Sequence, residues 1–369
     1  MKKIMSVFGT RPEAIKMCPL IKELKERKNI DLCVCVTAQH REMLDSVLSV
    51  FNVKPDYDLN VMKKGQSLYD ITTAVLCGIG EILHSLCPDI VLVHGDTSTA
   101  YAAALACFYA KIPVAHVETG LRSHDSLEPY PEEFNRRSIS MISSYDFAPT
   151  EDAKGNLIRE GKSPRGIFVT GNTGIDALRF TVQRDYNSKL IEEMKGYKTI
   201  LLTMHRRENI GEPMRAVFRA VRRVCVERED IRVIYPMHPN PFVREIAFSE
   251  LLGSARIYLT EPLDVIDFHN IMARSYFVMS DSGGIQEEAP SLSKPVLVLR
   301  KTTERPEGIE SGVLRLAGVE EKKVYKNMCL LLDSKELYKK MSSAPNPFGD
   351  GYASRKIADI IENDIDNGT

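Results

Sequence analysis

Residues 276–289, YFVMSDSGGIQEEA, decide how the second half of this chain is read. An apolar run of strand formers ends in Ser280-Asp281-Ser282-Gly283-Gly284, and carboxylates follow one turn later, so a strand hands over directly to a helix. Two readings of that turn stand side by side. The unpaired N–H groups at a helix start carry the positive end of its dipole and bind phosphate, and the glycines permit close approach. Alternatively, Asp281 or Ser282 simply caps the helix. Under the first reading Glu288, just inside the helix, accepts hydrogen bonds from a ribose.

Working outward, the same hand-over recurs. The second half continues it through TILLTMH, a helix over Pro213 to Glu227, IRVIYPMH, a helix through Val243 and Leu251, RIYLTEP and PVLVLR. The first half runs KIMSVF, a helix through Leu20 and Leu24, LCVCVT, a helix from Arg41 toward Phe51, a long helical pattern from Leu68 to Leu86, IVLVHG, an Ala-rich helix from Thr97 to Tyr109, and PVAHVETG. Strands separated by helices imply parallel sheets covered on both faces. The pattern predicts an α/β chain of two Rossmann-like domains, residues 1–170 and 171–353, with the last helix, 354–369, returning to the first.

In open α/β sheets ligands bind beyond the carboxyl ends of the strands, so both domains are expected to direct their strand-end residues at one cleft. The unusual residues sit at those ends: Gly9-Thr10-Arg11, His94-Gly95-Asp96 and Glu118-Thr119-Gly120 in the first half, and His205-Arg206-Arg207-Glu208, His238 and the Ser282 turn in the second. Cations at His205, Arg206 and Arg207 suit a diphosphate better than a helix start, whose dipole they oppose; Arg11 and Lys16 read the same way. Asp96, Glu118 and Glu132 form a set of carboxylates, with Arg136 a helical turn beyond Glu132, and clustered carboxylates split their pKa values so that one holds a proton while another accepts it. Asp96 could instead only cap the helix after it. The turn FGTRPE lacks the glycine fingerprint of a nicotinamide site. His94, His116 and Glu118 lack a further nitrogen or sulfur ligand spaced to complete a metal site.

Composition narrows the class. Hydrophobic residues make up 43% of 369, and Lys plus Arg number 49 against 50 Asp plus Glu, so nothing in the overall field favours nucleic acid or an anionic membrane. The opening MKKIMSVFGTRPEA has its apolar run cut by Gly9, Thr10, Arg11 and Pro12, which reads as no export signal, and no apolar segment approaches the roughly 18 to 20 residues that span a bilayer. A soluble cytoplasmic protein is expected. The 8 cysteines show no CxxC pair and read as reduced core residues, Cys33 and Cys35 on one strand face.

With these residues in view, the sequence resembles the non-hydrolysing UDP-N-acetylglucosamine 2-epimerases over essentially its whole length. The resemblance is carried by FGTRPEAIKM, VLVHGDT, HVETGLRS with PYPEEFNRR, TMHRREN, EPLDVIDF, SDSGGIQEEAPSL and RKTTERPEG. It implies the GT-B architecture, two Rossmann-like domains facing a central cleft. It also implies that Arg11, Lys16, His205, Phe268, Ser282, Gly283, Gly284, Glu288 and Arg305 hold the nucleotide and diphosphate, while Asp96, Glu118 and Glu132 surround the sugar with Arg136 and His205 close by. The implied reaction is elimination of UDP to 2-acetamidoglucal and re-addition with the proton on the other face of carbon 2, without metal or redox cofactor, under domain closure. Envelope polysaccharide or capsule synthesis is the implied destination, and a homodimer the implied assembly. Bacterial members also bind UDP-N-acetylglucosamine at an activating site, which Gln39, His40, Gln66, Arg206 and His238 match, whereas Gly65 replaces an arginine. A hydrolysing epimerase, a GT-B glycosyltransferase with an acceptor site and a non-catalytic nucleotide-sugar sensor are the competing readings.

Overall fold

The structure, a computed structural model, describes residues 1–38, 41–63 and 65–366. It divides into two compact units, Met1–Phe180 with Phe348–Thr369, and Thr181–Pro347.

The first unit opens with β1 (Lys2–Phe8), α1 (Arg11–Lys25), β2 (Ile30–Val36), α2 (Arg41–Phe51) and β3 (Tyr57–Asp58). It continues with α3 (Leu68–Leu86), β4 (Ile90–His94), α4 (Ser98–Ala110), β5 (Val114–Val117) and α5 (Glu132–Ile142). It then runs through β6 (Tyr145–Ala148), α6 (Glu151–Arg159), β7 (Ile167–Val169) and α7 (Thr173–Thr181). Its seven strands are parallel in the order β3-β2-β1-β4-β5-β6-β7. The order reverses between β1 and β4, which makes their carboxyl ends the crevice of this sheet.

The second unit contains α8 (Lys189–Met194), β8 (Lys198–Thr203), α9 (Glu212–Glu227), β9 (Ile231–Pro236) and α10 (Pro241–Leu251). Then come β10 (Ile257–Thr260), α11 (Val265–Arg274), β11 (Phe277–Ser280), α12 (Gly283–Ser291) and β12 (Val296–Val298). It closes with α13 (Pro306–Glu310), β13 (Leu314–Leu316), α14 (Glu321–Asp333) and α15 (Lys335–Ser343), while α16 (Ala353–Asp366) belongs to the first unit. The six parallel strands run β10-β9-β8-β11-β12-β13, with the reversal between β8 and β11.

Both sheets are buried on their two faces, as continuous Val, Ile and Leu runs require. In the second unit α9 presents Met214, Val217, Phe218, Val221 and Val224 at helical spacing to Ile200, Leu202, Val233 and Tyr235, all of them fully buried. Each large apolar side chain so removed from water contributes on the order of 1.5–3 kcal/mol. In the first unit Cys33 and Cys35 sit in the core with Met5, Val7, Val91 and Val93, and burial pushes their thiols up to about 11 and about 12. Not every cysteine follows: Cys77 and Cys87 are exposed and Cys329 is half-buried. Cys77 lies on the outward face of amphipathic α3, and Cys87 is that helix's left-handed C-cap.

The first unit extends to Phe180, past the expected boundary at 170, and regains the chain at Phe348, ahead of the expected 354. Hydrogen bonds explain both shifts. Asn172 N–H donates to the Phe348 carbonyl at 2.8 Å, and Asp176 in α7 accepts from the N–H groups of Ala353 and Ser354 at 3.1 and 2.8 Å. Asp176 of α7 thereby caps the start of α16. No helix among the described residues is long and apolar enough to cross a membrane.

Candidate active site

In the first unit the residues singled out in the sequence gather at the strand ends of β1, β4 and β5. Glu118 follows β5 with φ of 62°, a left-handed conformation rare for a non-glycine residue and costing on the order of 1 kcal/mol. Its carboxylate is largely buried and pairs with Lys16 from α1, and Asn172 Nδ2 donates to the same Oε2 at 2.8 Å. His94, at the end of β4, places Nε2 3.7 Å from that oxygen. Burial pushes His94 down to about 4, against the opposing pull of the Glu118 charge, so its imidazole is neutral at physiological pH. Behind it the buried His116 donates from Nε2 to the Gly95 carbonyl at 2.7 Å, and burial pushes it down to about 3. Neither histidine acts as a cation.

Asp96 does not cap α4. Thr97 takes that role, accepting from Ala100 N–H at 3.0 Å, which leaves the Asp96 carboxylate to pair with Arg136 through Nε at 3.1 Å and through Nη2. Arg136 also reaches Glu133 at 3.3 Å, and Asn135 Nδ2 donates to the Asp96 carbonyl at 2.9 Å, so the first turns of α5 are bound to the end of β4. Glu132 opens α5, and its Oε2 is buried without a hydrogen-bond partner. Lys16 with Glu118, and Arg136 with Asp96, are thus brought together as pairs, and Arg11 occupies the first position of α1.

Glu13 escaped the sequence reading. Its Oε2 accepts from Gly9 N–H, Thr10 N–H and Thr10 Oγ1 at 3.1, 2.8 and 2.8 Å, and Oε1 accepts from Thr97 Oγ1 at 2.8 Å. One buried carboxylate therefore shapes the turn after β1 and joins it to the start of α4. Burial raises its pKa and the hydrogen bonds oppose that rise. The signal was present in the capping-box spacing of Thr10 and Glu13.

In the second unit neither of the expected capping residues in the turn after β11 caps the helix. Ser282 occupies the N-cap position of α12 but makes no side-chain cap, and Asp281 turns away from the helix. Asp281 is fully buried and accepts from the N–H groups of His205 and Arg206, at 3.0 and 2.9 Å, and from Asn209 Nδ2 at 3.0 Å. The first N–H groups of α12 therefore have no side-chain cap. His205-Arg206-Arg207 lie directly beyond β8, as expected, in a strand-end turn running into a short 3₁₀ segment, Arg207–Asn209, ahead of α9.

Arg305 lies over Gly283: a Cβ there would meet its guanidinium carbon at 2.9 Å. Glu287 accepts from Arg305 Nε at 2.8 Å and Glu304 from Nη1 at 2.9 Å, holding the cation beside the start of α12. Against the burial that raises it, Arg305 and Arg300 draw the Glu304 carboxyl below its ordinary value. Glu288 lies 3.5 Å from the buried His269 Nε2, next to Phe268 on α11. His205 stacks on His238 with ring centroids 5.2 Å apart. Gln66 lies in the first unit, where its carbonyl oxygen accepts from Lys63 N–H; Gln39 and His40 lie outside the described residues.

The model of the UDP-N-acetylglucosamine 2-epimerase family matches residues 22–362. The chain belongs to that family. It is 56% identical over 359 residues to the Bacillus subtilis UDP-N-acetylglucosamine 2-epimerase, covering 97% of this chain and 94% of that protein. Among solved structures, S. aureus MnaA in complex with UDP superposes with a TM-score of 0.93 at 50% identity, over 99% of this chain and 97% of that one. The Neisseria meningitidis UDP-GlcNAc 2-epimerase bound to UDP-GlcNAc gives 0.91 at 45%, over 98% and 100%. Two parallel α/β sheets and these likenesses place the chain in the GT-B fold class expected of the family.

Proposed function

We propose that this protein interconverts UDP-N-acetylglucosamine and UDP-N-acetylmannosamine by the non-hydrolysing route. The carbon 1–oxygen bond breaks, UDP leaves, and the carbon 2 proton passes to a carboxylate, giving 2-acetamidoglucal. UDP then adds back as a proton returns to the opposite face of carbon 2. Departure of UDP acidifies carbon 2 by creating cationic character at carbon 1, so the diphosphate must be stabilised early. Arg11, Lys16, His205, Arg305 and the side-chain-uncapped start of α12 at Ser282, Gly283 and Gly284 are assigned to that task, for which preorganised charge supplies several kcal/mol. Phe268 and Glu288 are assigned to the nucleoside. Asp96, Glu118 and Glu132 are assigned the proton transfers, beside Arg136 and His205, each transfer contributing on the order of 10² to 10⁴ in rate.

The observation that carries this reading is Glu118, held in a left-handed conformation at a strand end with Lys16 and Asn172 on one carboxylate oxygen. A backbone conformation that costs energy is retained where a side chain must be aimed. Proton NMR of the protein with UDP-N-acetylglucosamine in D₂O, without NAD or added metal, tests it. UDP-N-acetylmannosamine deuterated at carbon 2 is the expected product. Free N-acetylmannosamine with UDP would assign the hydrolysing reaction, and turnover only with an added acceptor would assign a transferase.

Three finer assignments accompany this reading. Polysaccharide or capsule synthesis consumes the product in the cytoplasm, and the protein acts as a homodimer through the outer faces of α3 and α4. There Tyr109 is exposed at a groove of about 720 Å³ lined also by Leu76 and Ala106, and Tyr69 and Phe108 are exposed elsewhere on these helices. Sedimentation of a Tyr109→Glu variant as a monomer would support that face. Activation by a second UDP-N-acetylglucosamine rests on Gln66, Arg206 and His238 with Gln39 and His40, and Gly65 bears on it. With φ of 75°, Gly65 holds a conformation that an arginine would adopt only under strain, although the space around it is open.

A further inference from the structure

Glu118 needs an anchor, because its left-handed backbone is held only if the residues around it fix the turn. The next residue supplies one. Thr119 donates its N–H to the Phe147 carbonyl at 3.2 Å, and its Oγ1 donates to Asp146 Oδ1 at 3.0 Å and lies 3.2 Å from Ser140 Oγ. Asp146, in β6, is fully buried. Its Oδ1 also accepts from Ser143 Oγ at 2.9 Å, and its Oδ2 pairs with Lys162, which follows α6.

Lys162 then reaches α5. Its ammonium donates to the carbonyls of Ser140 and Ser143, the last acceptors of the helix whose first turns carry Glu132 and Arg136. A cation on those carbonyls satisfies groups that the helix leaves unpaired and complements the negative end of its dipole. A single buried carboxylate–ammonium pair thus ties the Glu118 turn to the helix bearing Glu132. Arg122 closes the cluster, forking onto Glu160 at 2.8 Å through two nitrogens and reaching Ser140 Oγ at 3.2 Å. None of these side chains belongs to the substrate machinery assigned above.

We propose that Thr119, Asp146 and Lys162 are positioning residues for the epimerisation, setting the direction of Glu118 and its register with α5 through the Thr119 hydroxyl. The proposal rests on the assignment of Glu118 as a proton-transfer residue. Its physical basis is that misplacement of a reacting group by about 1 Å costs on the order of 10²-fold in rate. A structural role alone would show in thermal stability and leave turnover in the folded protein unchanged.

The test compares wild type, Thr119→Val, Thr119→Ser, Asp146→Asn and Glu118→Gln in steady-state epimerisation of UDP-N-acetylglucosamine, with circular dichroism to establish the folded fraction. Thr119→Val removes one hydroxyl from an isosteric side chain and leaves Asp146 its Ser143 and Lys162 partners, so it is expected to fold. The expected result is a kcat lowered on the order of 10- to 100-fold with KM within about twofold, restored by Thr119→Ser and lowered again in Asp146→Asn. Wild-type kcat in folded Thr119→Val, alongside an inactive Glu118→Gln, would overturn the positioning role alone. Full activity in Glu118→Gln would overturn the assignment of Glu118, and the proposal with it.

Discussion

Replacing Gly283 by alanine tests whether the start of α12 and Arg305 work as one anion site. The new Cβ would stand 2.9 Å from Cζ and Nη2 of Arg305 and 3.1 Å from Nη1, so the guanidinium must withdraw by about half an ångström to reach ordinary contact near 3.4 Å. It has little room to do so, being held by Glu287 at 2.8 Å and Glu304 at 2.9 Å. A displaced Arg305 forfeits one hydrogen bond between charged groups, about 1.5–3 kcal/mol, which converts to UDP binding weakened on the order of 10- to 100-fold. Gly284→Ala is the control. Its Cβ would meet only Glu288 Oε1, at 3.6 Å, and in a helix the added methyl raises ligand-free stability by up to about 1 kcal/mol. Isothermal titration with UDP and ligand-free thermal melts separate the two. The expected pattern is weakened UDP binding in Gly283→Ala, and in Gly284→Ala raised stability with any binding loss due to closer backbone approach. A folded Gly283→Ala that binds UDP within twofold of wild type would refute the coupling of this glycine to Arg305.

Acid should expose the two buried histidines. Their folded-state pKa values, about 4 for His94 and about 3 for His116, lie below the unfolded value near 6.5, so their contribution is complete above pH 6.5 and is lost as pH falls toward 4 and 3. Each costs about 2 kcal/mol between pH 7 and 5, partly offset by Glu13 and Asp146, whose raised pKa values favour the folded state as pH falls. Urea unfolding of wild type and His116→Gln at both pH values isolates one histidine's share; equal losses in the two proteins would refute its burial as a neutral ring. Glu13→Gln is expected to lower stability by about 1 kcal/mol or more, because its amide oxygen keeps the Gly9 and Thr10 N–H groups only as neutral hydrogen bonds while its NH₂ faces the Thr97 hydroxyl, which must turn to accept. An unchanged urea midpoint would remove Glu13 from its place in the turn after β1.

Much of this architecture was legible because strand-end placement follows from the period of the apolar runs. Arg41–Phe51 and Leu68–Leu86 fall where the pattern puts them, and His94, Glu118, His205 and Ser282 all lie where a parallel strand stops. What the pattern could not supply was partnership across the sheet. Asn172 reaches Glu118 from the turn after β7, and no local spacing links residues so far apart. The domain boundary moved for the same reason: α7 looks like connector by composition, yet Asp176 fixes it to the start of α16.

The carboxylates show most clearly where residue type alone is insufficient. Asp96 and Asp281 both follow a strand and precede a helix, and for each a capping role stood among the readings. In the structure neither is one. Asp281 is spent on N–H groups of the His205 turn, because that backbone leaves the sheet beside it and would otherwise be buried unpaired. Asp96 escapes this use because Thr97 caps α4 and its hydroxyl in turn donates to Glu13. The Asp96 side chain therefore pairs with the Arg136 guanidinium and keeps part of its surface open, with 29% exposure against none for Asp281. A carboxylate saturated by backbone donors builds the turn, whereas one paired to a side chain that can be drawn away remains available to a ligand. On that distinction Glu13 and Asp281, which accept from backbone N–H groups, belong to the frame of their turns, and the open surface of Asp96 supports its proposed assignment to the chemistry.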